Sequence, residues 1–233
     1  MTTLHILRGI VCGLMAGCVL WQPASAVAAV EEGLLRTVEI KSSDLSGLPK
    51  WQAVVARLPD ERKLFSACLT SIAACPDKSY AAWREVMKSI EGQNLADKLR
   101  RLNRYVNSWP YRTDLETWGA EDYWAAPSMF LKKSGDDEDF AIMKYLSLSL
   151  SGIPVERMRL VVARDVLRNT THTVLAVYEN GDVYIMDNII DAVLPQASVL
   201  QYAPLYSVNE KDRWVHILRT KRPSFVPTSK VNQ

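Results

Sequence analysis

The apolar pattern of this chain changes period once, around Ser151-Gly152-Ile153-Pro154, and that change limits the folds open to it. Upstream, apolar residues recur at helical spacing. Trp51, Val54, Val55 and Leu58 predict a helix over Trp51 to Arg57, and Trp83, Val86 and Met87 predict one over about 79–90. Leu95, Leu99, Leu102 and Val106 predict a third over about 93–107, closed by Pro110. A fourth starts after Gly135 and carries Phe140, Met143, Leu146 and Leu150 on one face. Downstream come short strand-like runs, Met158 to Ala163, Thr173 to Tyr178 and Val183 to Met186, with Asn180-Gly181 marking a hairpin turn between the last two. Leu205 to Val208 and Trp214 to Leu218 complete a further strand pair. Helices followed by an antiparallel sheet define an α+β fold. Otherwise residues 27–60 read as loop-rich, and Tyr111 to Pro127, aromatic and acidic, as an ordered loop packed on the core.

The first residues differ in kind from the rest. Arg8 precedes a charge-free apolar run from Ile10 to Leu20, and Pro23-Ala24-Ser25-Ala26 supplies small residues at a cleavage position. This pattern predicts a secretory signal peptide over residues 1–26, leaving one domain over residues 27–233. The apolar run is shorter than the roughly 20 residues a membrane span needs, so no stable span is expected after cleavage. Cys18 in Leu14-Met15-Ala16-Gly17-Cys18 offers lipidation as a rival. Cleavage leaves Cys68 and Cys75, seven residues apart, able to close a small loop as a disulfide in an oxidising compartment or to remain two free thiols. Neither precedes a helix start that would stabilise a catalytic thiolate. A net charge of +2 over 233 residues gives no reason to expect a nucleic-acid partner.

Chemistry concentrates in the helix start Gly135-Asp136-Asp137-Glu138-Asp139 and the strands after it. A helix N-terminus stabilises an anionic nucleophile, a strand histidine can serve as its base, and an acid can orient that histidine. Asp137, His172 and Asp187 stand in those places. The hairpin turn should bring Thr171-His172 opposite Asp187-Asn188. The packed acids repel one another unless a cation is near, and His216 reads as a packing residue.

Four stretches resemble the bacterial transglutaminase-like cysteine peptidases in content and order: Trp118-Gly119-Ala120-Glu121-Asp122-Tyr123-Trp124-Ala125-Ala126-Pro127, Gly135 to Lys144, Thr171-His172-Thr173-Val174-Leu175 and Met186-Asp187-Asn188. The resemblance runs from about Trp51 to His216. It implies a papain-like, transglutaminase-like core, a periplasmic location and a Cys-His-Asp triad. His172 matches the base and Asp187 the orienting acid. Asp136, Glu138 and Asp139 match the group that includes calcium ligands. The family pattern reads Gly-Asp-Cys-Glu-Asp, so Asp137 occupies the cysteine's place. The resemblance also implies two kinds of partner, a peptide segment of a large repeat adhesin and a periplasmic receptor domain that answers to cyclic di-GMP and controls biofilm adhesin release. Three readings follow: a pseudo-peptidase that keeps calcium and partner binding, an active hydrolase, and a metal-dependent site built on Asp137, His172 and Asp187.

Overall fold

The computed structural model describes residues 33–218, so the expected leader over residues 1–26, with Cys18, lies outside the described range. A 3-10 turn, Leu34–Arg36, leads into strand β1 (Thr37–Ser42). Helices α1 (Pro49–Thr70), α2 (Lys78–Ser89) and α3 (Leu95–Asn107) follow. Two short helices, α4 (Asp114–Trp118) and α5 (Pro127–Lys133), precede α6 (Asp137–Leu150). Six strands end the described chain: β2 (Met158–Asp165), β3 (Thr170–Glu179), β4 (Asp182–Met186), β5 (Leu194–Pro195), β6 (Tyr202–Val208) and β7 (Arg213–Leu218). All pairings are antiparallel, in a single sheet ordered β1-β7-β6-β2-β3-β4-β5. The fold class is α+β, with N-terminal helices ahead of the sheet. No helix among the described residues is long and apolar enough to cross a membrane.

Where local pattern and structure differ, tertiary packing explains the difference. α1 runs well beyond Arg57 and carries Pro59 inside it. A proline within a helix removes one backbone hydrogen bond, yet the buried stripe Trp51, Val54, Leu58 continues through Phe65 and Cys68, and that burial carries the helix past it. β1 alternates charged and apolar residues and becomes a strand by pairing with β7, from Thr37↔Leu218 to Ser42↔Arg213. The segment expected as loop contains α4, whose start is a capping box between Thr113 and Glu116. Cys68 and Cys75 form a disulfide that ties the end of α1 to the turn before α2.

α6 runs through the core, buried at every residue from Glu138 to Leu148. It packs on β3 and β2 along one side and on α1, α3 and α5 along others. Leu160, Val162, Leu175, Val177 and Met186 face these helices, and Val161, Ala163, Val174, Ala176 and Ile185 point to the opposite face, covered by Leu34, Leu35, Val199 and Tyr202. This alternation fixes which way each later side chain of β3 and β4 points. Between those strands, Asn180 and Gly181 both take positive φ (49° and 86°), the backbone of a tight hairpin turn.

His216 pins the β1 edge. Its Nδ1 lies 2.8 Å from the Thr37 hydroxyl and its Nε2 2.9 Å from the Ser207 hydroxyl, linking β1, β7 and β6. Burial pushes the imidazole down to about 4, against the pull of Glu39 and with the help of Arg159. The folded-state value is thus below the usual 6.5, so on acidification the unfolded chain takes up the proton first. The contribution is full above about pH 6.5 and is lost as pH falls toward 4. The stability difference between the wild type and His216→Gln, measured by urea unfolding, should therefore shrink across that window; a constant difference would contradict a neutral, buried His216.

Candidate active site

α6 delivers its first residue, Asp137, to the end of β3. Asp136 is the N-cap, and the acidic first turn lies where the helix dipole favours negative charge. The β3–β4 ladder stops at Leu175↔Met186, and beyond it the Thr173 amide donates to Oδ2 of Asp137 at 2.5 Å. One residue earlier, His172 is 6% exposed, with Nδ1 3.5 Å from Asp137 Oδ2 and Nε2 2.9 Å from Asp187 Oδ1. Continuing the β3–β4 register by one step puts Asp187 opposite Val174, so His172 is its diagonal neighbour on the same face rather than its direct partner.

The two carboxylates beside His172 are not equivalent. Asp187 also accepts from the Tyr202 hydroxyl at 2.6 Å and from the Ile189 amide at 2.9 Å. Burial works to raise its carboxyl, but the hydrogen bond and charge of His172, with Tyr202 and Ile189, outweigh it and hold Asp187 below its ordinary value. For Asp137 burial wins over the charge of His172 and the Thr173 bond, and the carboxyl is raised. Tyr202, whose ring lies 5.3 Å from the imidazole, completes the group. It had no signal in the sequence because it arrives from β6, whose pairing with β2 is not legible locally.

Asp114, Asp136 and Glu138 each offer a carboxylate oxygen, and the three oxygens lie within 4.8 Å of one another. Burial first, and then the neighbouring Asp114 and Asp137 charges, push Asp136 up to about 7. Burial and the charges of Asp137 and Asp136 push Glu138 up to about 10. Asp114 Oδ1 and Asp136 Oδ1 are buried without a hydrogen-bond partner. Such a cluster lacks positive charge, and an all-oxygen donor set suits a hard divalent cation of the calcium type. Asp139, grouped with these acids on the sequence, stands apart. It is fully buried, its Oδ1 accepts from the Ala125 amide at 2.6 Å, and burial raises it to about 8. Asp114 takes its place in the group; its approach depends on α4, which lies in the stretch expected to be an ordered loop. Asp137, His172 and Asp187 do not converge on one ion, because the two carboxylates sit at opposite ring nitrogens.

A groove of about 540 Å³ opens over this site, with Trp51, Asp137, Thr173, Leu205 and Tyr206 in its walls. Lys50 at the start of α1 pairs with Asp122 at its edge. Trp51 is fixed by its indole N–H, which donates to the Asn209 carbonyl at 2.8 Å. Lys144, about two turns further along α6, is buried, and burial pushes its amine down to about 7 against the charges of Asp187 and Asp191.

The chain matches the model of the bacterial transglutaminase-like cysteine proteinase family over residues 65–222, and it belongs to that family. Among solved structures it is similar to Legionella pneumophila LapG, at 28% identity and a TM-score of 0.55 over 69% of this chain and 87% of that one. A calcium-bound form of the same LapG matches at 27% identity with a TM-score of 0.55, over 69% and 87% of the two chains. An EGTA-treated form matches at 28% and 0.56, over 71% and 87%. Comparison with curated protein sequences gives no match.

Gly135 carries a steric constraint on the site. A Cβ there would lie 2.0 Å from Asp139 Oδ2 and 2.6 Å from Asp139 Cβ. Gly135→Ala should displace the Asp139 carboxylate from the Ala125 amide and cost about 2–4 kcal/mol of unfolding free energy, as overpacking and a lost buried hydrogen bond do together. Chemical denaturation checks this, and an unchanged midpoint would contradict the close packing.

Proposed function

We propose that this protein is a calcium-binding pseudo-peptidase of the periplasm, which keeps the groove and the His172–Asp187 pair of its family but does not cleave the peptide it binds. The carrying observation is Asp137, fixed by the Thr173 amide with its carboxylate 3.5 Å from His172 Nδ1. A cysteine protease places a thiolate in that position. A carboxylate is a weaker nucleophile, and its attack on an amide would give a mixed anhydride, a far poorer intermediate than a thioester. His172 and Asp187 retain the geometry of a base and its orienting acid but have no thiol to activate.

Asp114, Asp136 and Glu138 are the residues that would hold calcium. The cation would neutralise the acids at the start of α6, and the existence of calcium-bound and EGTA-treated LapG structures supports that assignment. The leader-like residues 1–26 and the Cys68–Cys75 disulfide support an oxidising, exported location. The partner would be a peptide segment of a large repeat adhesin, or the periplasmic domain of a receptor that responds to cyclic di-GMP, so that the protein acts in biofilm regulation by binding.

Added calcium should raise the thermal midpoint, by about 2.7 kcal/mol of stabilisation at a hundredfold excess over the dissociation constant. The double variant Asp114→Asn/Glu138→Gln should lose the shift; a wild type indifferent to millimolar calcium would remove the cation from the proposal.

Asp137→Cys should create peptidase activity, since the helix N-terminus, His172 and Asp187 are all in place. With calcium present, the variant should cleave the membrane-proximal segment of a repeat adhesin from the same genome. Adding His172→Ala should lower that rate by roughly a hundredfold or more. A cysteine variant that folds, binds calcium and cleaves nothing would mean that the groove itself no longer presents a peptide for attack.

A further inference from the structure

The two most exposed large apolar side chains among the described residues stand on adjoining loops: Leu167, 80% exposed in the turn between β2 and β3, and Leu200, 71% exposed in the loop before β6. The Val166 amide donates to the Gln201 carbonyl at 2.9 Å and ties the two loops together, and Val166 is itself exposed. Apolar side chains presented together in this way mark a surface that meets another apolar phase. The backbone beneath them is already satisfied. The Leu167 and Arg168 amides donate to Asp165 Oδ1 at 2.9 and 3.0 Å, and the Asn169 amide donates to the Asp165 carbonyl at 2.8 Å. With the Val166 bond, every amide of the turn has a partner within the protein, so the tip can leave water without orphaning a donor.

Charge around the tips has one sign. Arg164 has the neutral Asn169 side chain as its partner, and Arg36 donates to the Val199 carbonyl at 3.0 Å. Arg168 pairs at 2.8 Å with Asp165, whose carboxylate is buried. Asp191, on the loop after β4, is turned toward α3, where Asn107 donates to it at 3.3 Å. Protruding apolar side chains with guanidinium groups around them match an anionic bilayer, where the tips enter the acyl boundary and the cations meet headgroup phosphates. A deformable lipid surface also receives tips from two separate loops more readily than the fixed relief of a protein does.

We infer that this end of the sheet docks on an anionic lipid surface through Val166, Leu167 and Leu200, with Arg164 and Arg36 against the headgroup phosphates. The turn leads directly into β3 at Thr170, and Thr171, the next residue, lines the groove. Docking therefore holds the groove close to the bilayer, within reach of a peptide segment that emerges from it.

The chain from residue 27, freed of the apolar run Ile10 to Leu20 that would itself bind lipid, is mixed with phosphatidylcholine vesicles with and without phosphatidylglycerol and followed by flotation. Binding is expected to the vesicles that contain phosphatidylglycerol, and much less to phosphatidylcholine alone. Leu167→Ser/Leu200→Ser should weaken it by about tenfold or more, and Arg164→Gln by about fivefold. Thermal unfolding verifies that each variant is folded. An environment-sensitive fluorophore attached to Leu167→Cys should shift to the blue on binding. The same label on Ile72→Cys, another exposed site, beyond the end of α1 opposite Trp51, should not. The inference is overturned by absence of binding to phosphatidylglycerol vesicles, which would leave the tips to a protein partner, or by equal binding to both vesicle types. It is equally overturned by binding that survives the double leucine substitution, or by a fluorophore at position 167 that stays in water while the protein binds.

Discussion

The contact on which this molecule turns is the one between the first residue of α6 and the end of β3. Asp137 accepts the Thr173 amide and faces His172. That contact joins the core helix to the sheet at the place where β4 has left the ladder. Everything chemical in the structure is disposed about it: Asp187 and Tyr202 behind the imidazole, the Asp114–Asp136–Glu138 group beside the helix start, the groove in front. The Asp137 charge is among the causes that raise both Asp136 and Glu138, so the carboxylate at the helix start adds to the demand for a cation nearby.

The separation of roles among these acids follows from what each one touches. Asp187 has three donors and is held in its charged form; Asp139 has one backbone donor and no solvent, and is raised. Asp139 is thus a structural brace between α6 and the chain at Ala125, close against Gly135, while Asp136 and Glu138 with Asp114 form the cation-type cluster. Four consecutive acids that look alike in sequence divide in this way because Asp136 is the extended N-cap, while from Asp137 onward the helix turns about 100° per residue.

Much of this was legible from the sequence because the decisive signals are local. The Asn180-Gly181 turn and the alternation of β3 and β4 bring His172 and Asp187 near one another from local signals, and the acidic start of α6 marks Asp137, whose place beside His172 is implied by the family resemblance and made by the packing of α6 on β3. What escaped depends on contacts far apart in the chain. β1 is a strand because β7 lies beside it, α1 passes through Pro59 because Phe65 and Cys68 are buried beyond it, and Tyr202 reaches Asp187 from β6. Asp114 is the instructive case. Its capping box is readable at Thr113 and Glu116, but aromatic neighbours made the segment look like packed loop, and nothing local says that α4 turns this carboxylate toward Asp136.

That Asp137 silences an otherwise preserved site is tested most directly on the unaltered protein. Purified, calcium-loaded wild type would be incubated with the adhesin segment and with a proteome-derived peptide mixture, and the products read by mass spectrometry. With a carboxylate at the attacking position, no cleavage above the level of a His172→Ala control is predicted. Specific cleavage by the wild type that persists through purification, resists thiol-directed inhibitors and disappears in His172→Ala would show that Asp137 supports catalysis, and would contradict the pseudo-peptidase assignment.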